Sequence, residues 1–213
     1  MLLTEIVPVV KIEALVGDLP LAVEPLNTSD GRTMADAAPG DIHAIAAYAW
    51  HRIVVGGRHG VDPQQMSSFF NPPGDPRFAL AIGRVIQTQL IREFGLVTVR
   101  DASGFEVATS SVALLYDQDL HLHDLAMSDP RRPIGSGDAG YGSRGHHGFG
   151  LLGEVVDRLV VAATERGCRV ISLTATTRYM VDVFGRHGFE VEDSTFGRSA
   201  LAFGMTIPMH RPI

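Results

Sequence analysis

Leu120-His121-Leu122-His123-Asp124-Leu125-Ala126-Met127 is the stretch on which the fold turns. Apolar and polar residues alternate with a period of two over its first half, as in a strand with one face buried. On that spacing His121 and His123 project from one face and Asp124 from the other. Upstream, Leu96 to Arg100, a turn at Asp101-Ala102-Ser103-Gly104, and Phe105 to Tyr116 read as a hairpin. Downstream, a glycine-rich stretch over 130–150 leads into an amphipathic helix. Its Leu152, Val155, Val156, Leu159 and Ala163 share a face, and Gly167 stops it. Val170 to Thr174 is a buried-type strand, a shorter helix spans 177–187, and Gly188-Phe189 opens a last pair of strands ending near Met209.

The N-terminal part is plainer. Residues 1–40 mix short apolar runs with Pro8, Gly17, Pro20, Pro25 and Gly31, which predicts one or two strands and a loop packing as an arm. Asp41 is placed to cap a helix with Ile42, Ile45, Ala46, Ala49 and Ile53 on one face, ended by Gly56 and Gly57. After the loop Asn71-Pro72-Pro73-Gly74-Asp75-Pro76, a second helix is expected from Pro76 to Phe94, closed by Gly95. This order of elements fits an α/β fold, a central mixed and mostly antiparallel sheet flanked by helices. The chain reads as one domain: an N-terminal arm over 1–40, two helices over 41–95, a core over 96–191, and C-terminal strands over 192–213.

Composition narrows the partners. With 213 residues, 45% hydrophobic and 20% charged, the chain suits a single globular domain. A net charge of −6 argues against nucleic acid, whose phosphates such a surface repels. The single cysteine, Cys168, excludes an intramolecular disulfide and packs better than it reacts. No run is apolar for the length of a membrane span, and the first residues lack the basic start of a signal peptide. A cytoplasmic protein is expected.

The turn Gly145-His146-His147-Gly148-Phe149-Gly150 stands directly before the amphipathic helix. Glycines there let backbone N–H groups approach a pyrophosphate, and the helix N-terminus adds a partial positive charge. A second glycine run, Arg132-Pro133-Ile134-Gly135-Ser136-Gly137, is followed by more loop and is the poorer cradle. Gly135 to Gly140 also spells GxGxxG, but no helix begins within it, so a dinucleotide site is rejected.

Three pieces resemble the GNAT superfamily of N-acetyltransferases. The strand from Leu120 to Met127 is similar to one in the arylalkylamine N-acetyltransferases, where two histidines alternate before a Leu-Ala-Val run. The second piece is the glycine-rich turn at 145–150. The third is Glu165-Arg166-Gly167-Cys168 running into Leu173, followed by Phe184-Gly185-Arg186-His187-Gly188-Phe189. The resemblance covers about a third of the chain strongly and implies a cytoplasmic enzyme that moves an acetyl or longer acyl group from acyl-coenzyme A to the primary amine of a small molecule or peptide. No metal, nucleic acid or membrane is implied, and a homodimer is a common outcome in the family.

The resemblance also implies roles. His121 and His123 would relieve the attacking ammonium of its proton, directly or through water, since imidazole titrates near neutrality. Asp124 is a lesser candidate for base or substrate orientation. Leu125 and Met127 would offer backbone groups to the pantetheine arm and the thioester carbonyl. Arg144, Gly145, His146, His147, Gly148, Phe149 and Gly150 would line the pyrophosphate, although Gly145 stands where the family carries Arg or Gln. Phe184 sits where the family has a tyrosine beside the coenzyme, and cannot protonate a leaving thiolate. Two other readings compete: a degenerate module that binds acyl-coenzyme A without turnover, and a metal-dependent hydrolase using His121, His123, Asp124, His146 and His147.

Overall fold

The computed structural model describes residues 1–55, 90–116, 118–128 and 150–213. A 3₁₀ turn over Leu3–Ile6 is followed by α1 (Val9–Val16), β1 (Leu21–Thr28), α2 (Gly31–Ala37) and α3 (Pro39–Val55). Then come the strands β2 (Ile91–Asp101), β3 (Glu106–Leu115) and β4 (Asp119–Met127). The chain continues through α4 (Leu151–Glu165), β5 (Val170–Ala175), α5 (Arg178–Gly185), β6 (Glu190–Val191), α6 (Thr195–Phe203) and β7 (Ile207–Pro212).

One seven-stranded sheet runs β1-β2-β3-β4-β5-β7-β6. Every neighbouring pair is antiparallel except β4 and β5, which are parallel. Helices cover both faces. On one, Val155, Val156 and Leu159 of α4 and Phe184 of α5 pack against Val112, Leu120, Leu122, Ile171 and Leu173. On the other, Ile42, Ile45, Ala46 and Ala49 of α3 pack against Phe94, Ala113 and Leu115. A third cluster seats α1, through Ile12 and Val16, on Val97, Val99 and Val107. Burying each such aliphatic side chain contributes about 1.5–3 kcal/mol, and this is what holds the helices to the sheet.

The expected central sheet, hairpin and amphipathic helix are all present, with differences that have local causes. Residues 91–95 belong to β2, not to the tail of a helix. Gly95 closes nothing; it lies mid-strand, where a Cβ would run into Leu3. The first 40 residues contain one strand, β1, as expected, but also the helices α1 and α2 and the start of α3, which were not. Asp41 lies in the first turn of α3, which begins two residues earlier. The C-terminal region carries an unforeseen helix, α6, capped by the Ser194 hydroxyl, which accepts from the Gly197 N–H at 2.9 Å. The helix expected over 76–94 otherwise falls outside the described residues, as do Ile53's side chain, Gly56 and Gly57.

Candidate active site

The site is built where β4 parts from β5. The two strands pair only from Asp119↔Val170 to Leu122↔Leu173. From His123 to Met127, β4 pairs with no residue of β5, while Thr174 and Ala175 go on pairing with β7. A wedge therefore opens in the middle of the sheet. Along it, the backbone edge of β4 has no strand neighbour among the described residues.

The parting coincides with a bulge. Against β3, Leu122 pairs with Val112 and Asp124 with Ser111, leaving His123 as the extra residue. The bulge resets the alternation. Ala113 and Ser111 lie two apart on β3 and share a face, so their partners His121 and Asp124 share that face too. The strict period of two put Asp124 opposite the histidines; the bulge brings it round to the α3 face. By the same shift Leu125 and Met127 join Leu120 and Leu122 on the other side, packing against the α4 core.

His121 is 1% exposed. Its Nδ1 lies 3.1 Å from the Ser172 Oγ of β5, a shared hydrogen bond. Tyr48 of α3 stacks on it, ring centroids 4.0 Å apart and planes inclined 19°. Burial, then the charges associated with His123 and Arg52, hold this imidazole well below its ordinary 6.5; the Ser172 peptide opposes them only weakly. His121 is neutral at neutral pH. His123, partly exposed at the bulge, has its ring 6.1 Å from that of His121. Asp124 is exposed beside it.

Around the pair sits a polar group that sequence reading missed. Arg52 donates to the Tyr48 phenol oxygen at 3.2 Å and pairs with Asp119 at 2.8 Å. Tyr48 is partly exposed by area yet deep among neighbouring atoms; burial pushes its phenol up, against the Arg52 charge and hydrogen bonds from Ser172 and Arg52. The hydroxyls of Ser110 and Ser111 are buried without a hydrogen-bond partner among the described residues. Each such orphan costs about 1–3 kcal/mol. Ser111 lies directly across from Asp124 on the α3 face. The available signal was Ser172, one hydroxyl in the otherwise apolar run Val170-Ile171-Ser172-Leu173.

The remaining expected residues lie elsewhere. Gly150 precedes α4 with φ +68°, a left-handed conformation that suits glycine. Lys11, the single lysine, pairs with Glu154 in the first turn of α4 at 3.1 Å. Arg144, Gly145, His146, His147, Gly148 and Phe149 lie outside the described residues. Phe184 is buried, edge-on to Phe189 at 5.8 Å and 66°, in the core beneath α5. Cys168 is buried too, and burial pushes its thiol up, as expected of a packing residue. Among the described residues no three His, Cys, Asp or Glu side chains are grouped as a metal site requires. None of the described helices is long and apolar enough to cross a membrane.

No protein-family model matches the chain. No curated protein sequence matches it either. Among solved structures it is similar to a nourseothricin acetyltransferase, at 17% identity and a TM-score of 0.35, over 56% of this chain and 65% of that one, just under two thirds. It is similar to the PaiA N-acetyltransferase from Thermoplasma acidophilum in complex with coenzyme A, at 11% identity and 0.37, over 89% and 99%. An acetyltransferase of the GNAT family from Staphylococcus aureus is similar at 10% identity and 0.39, over 90% and 99%. These likenesses are distant and give no residue of this chain a role. All three are acetyltransferases, and the chain is similar to each only distantly.

Proposed function

We propose that the protein transfers an acyl group, acetyl in the simplest case, from acyl-coenzyme A to a primary amine. The observation that carries this reading is the wedge between β4 and β5, with its bulge at His123. An extended pantetheine arm needs a strand edge with free backbone donors and acceptors, and, among the described residues, 123–127 pair with no strand on the β5 side. The amine nitrogen attacks the thioester carbon; the C–S bond breaks as the C–N bond forms. On the amine side, an ammonium sheds one proton to free its lone pair and another as the amide forms; on the thiolate side, one proton is gained. His123 is the group assigned the first task, because it is partly exposed at the mouth of the wedge. Neutral His121 lies beside it, within reach through a water. Phe184 cannot perform the second task, which falls to solvent in this reading. Asp124, exposed on the same face, suits the approach of a cationic amine.

A second reading, a coenzyme-binding module without turnover, is favoured by Phe184 and by Gly145 standing where the family carries Arg or Gln. The test is a thermal-melt titration with acetyl-coenzyme A, with NAD and zinc as controls. A ligand at 100 times its dissociation constant stabilises by about 2.7 kcal/mol, a readily visible shift. A shift with acetyl-coenzyme A alone, followed by acylation of an amine panel, is expected. No shift, or one with zinc only, would sink both readings.

A further inference from the structure

Helix α3 turns two polar side chains toward β4. Tyr48 and Arg52 are one helical turn apart and share a face. Tyr48 lies flat against His121 at 4.0 Å. Arg52 holds the Tyr48 phenol at 3.2 Å and is held in turn by Asp119 at 2.8 Å. Asp119 lies on the same strand as His121, two residues before it, so the ring of contacts closes on itself. At its edge the imidazole is fixed through Nδ1 by Ser172. The ring is thus braced on a flat face and at one nitrogen.

The ion pair is an expensive way merely to seat a helix. Asp119 is 5% exposed, and a buried pair of charges adds little net stability over apolar packing. What it does accomplish is local. A fixed guanidinium beside His121 opposes a second positive charge there, and a stacked phenol fixes the ring plane. Among the described residues, other ionisable groups acting here are His123 on β4, Glu192 after β6, whose charge acts on Tyr48 and Arg52, and Cys168, which feels the charge of Asp119.

We infer that Tyr48 and Arg52 are positioning residues: they clamp His121 as a fixed, neutral imidazole, so that the charge formed when the amine loses its proton is borne at His123. The role in catalysis rests on the acyl-transfer reading above; the clamp itself is testable without it.

The experiment records histidine ring signals by NMR against pH in the substrate-free protein. It compares the wild type with Tyr48→Leu, Tyr48→Phe, and the double variant Arg52→Gln/Asp119→Asn, which leaves neither charge unpaired. In the wild type, His121 should keep the signals of one neutral tautomer through the region near 6.5 where a free imidazole takes up its proton. In the double variant burial remains but the guanidinium is gone, so protonation should set in at a higher pH than in the wild type. Tyr48→Leu frees the ring plane while leaving the Ser172 hydrogen bond, so it should shift or broaden the His121 ring signals and lower kcat roughly 10–100-fold with KM for acetyl-coenzyme A unchanged. Tyr48→Phe, which keeps the stack, should retain the wild-type ring signals and most of the turnover. A wild-type His121 that titrates like a free imidazole, or signals unchanged in both Tyr48→Leu and the double variant, would overturn the clamp. The expected NMR responses in a protein without acyl transfer would sink the function and leave the clamp standing.

Discussion

At the scale of single residues, His121 makes the protein acid-sensitive in a calculable direction. In the unfolded chain it takes up a proton near its ordinary 6.5; in the folded protein burial keeps it neutral well below that. Below 6.5 the unfolded state therefore binds more protons, and stability falls as pH drops toward the depressed native value. The slope from this one group is at most about 1.4 kcal/mol per pH unit. Melting temperature should decline from neutral pH into acid in the wild type, and decline less steeply in His121→Gln. Equal slopes would mean that His121 is not held neutral. The two histidines were legible in the sequence as a pair on one face, and their rings do come within 6.1 Å. The orientation of Asp124 was not, because a single extra residue in a ladder leaves no mark in an apolar–polar pattern while it flips everything after it. Tyr48 and Arg52 were illegible for another reason. They sit at the margin of α3's apolar stripe, and only the packing of that helix on β4 gives them partners.

Among the elements, those with unambiguous periods were readable: β3, β4, α4 and β5 lie within a residue or two of expectation. The failures are instructive. In β2 the register shift between Ile91 and Glu93 spoils the alternation, so Leu90 and Phe94 mimic a helical spacing of four. In α1, the β-branched Val9-Val10 after Pro8 resembles the start of a strand, although Ile12 and Val16 share one helical face. In α6, glycine and a short apolar run hid a helix whose Ser194 cap was the clue. The 3₁₀ turn at Leu3 has its own test. Leu3 is 1% exposed and packs where Gly95 has no side chain. Gly95→Ala should cost about 1–3 kcal/mol, as overpacking of a full core does. Denaturant unfolding measures it; a neutral result would show that the turn moves aside freely.

Across the whole molecule, a polar knot ties distant parts together. Glu93 of β2 accepts from the Arg166 Nε at 2.7 Å and Nη2 at 2.8 Å, and from Asn27 of β1 at 3.0 Å. Arg166 also reaches the Met1 carbonyl at 3.1 Å. The Arg166 hydrogen bond, supported by Asn27 and outweighing burial, holds the Glu93 carboxyl below its usual 4.5. Its contribution is complete above 4.5 and is lost as pH falls through the lower native value. Arg166→Ala should cost about 2 kcal/mol near neutral pH. The difference from wild type should shrink in acid, as urea titrations at two pH values would show. A difference that does not shrink would assign the stability to Arg166's packing rather than to the pair.

The sheet's register also orders its assembly in time. β2, β3 and β4 join through short connections, from Asp101 to Glu106 and from Leu115 to Asp119, whereas β1 pairs Leu21 with Asp101 and Thr28 with Phe94 across a long interval of chain. Closing that interval sacrifices more chain entropy than closing a tight turn. The three-stranded meander therefore forms first and β1 docks late. The segment that finally covers the outer edge precedes the meander along the chain and follows it in folding.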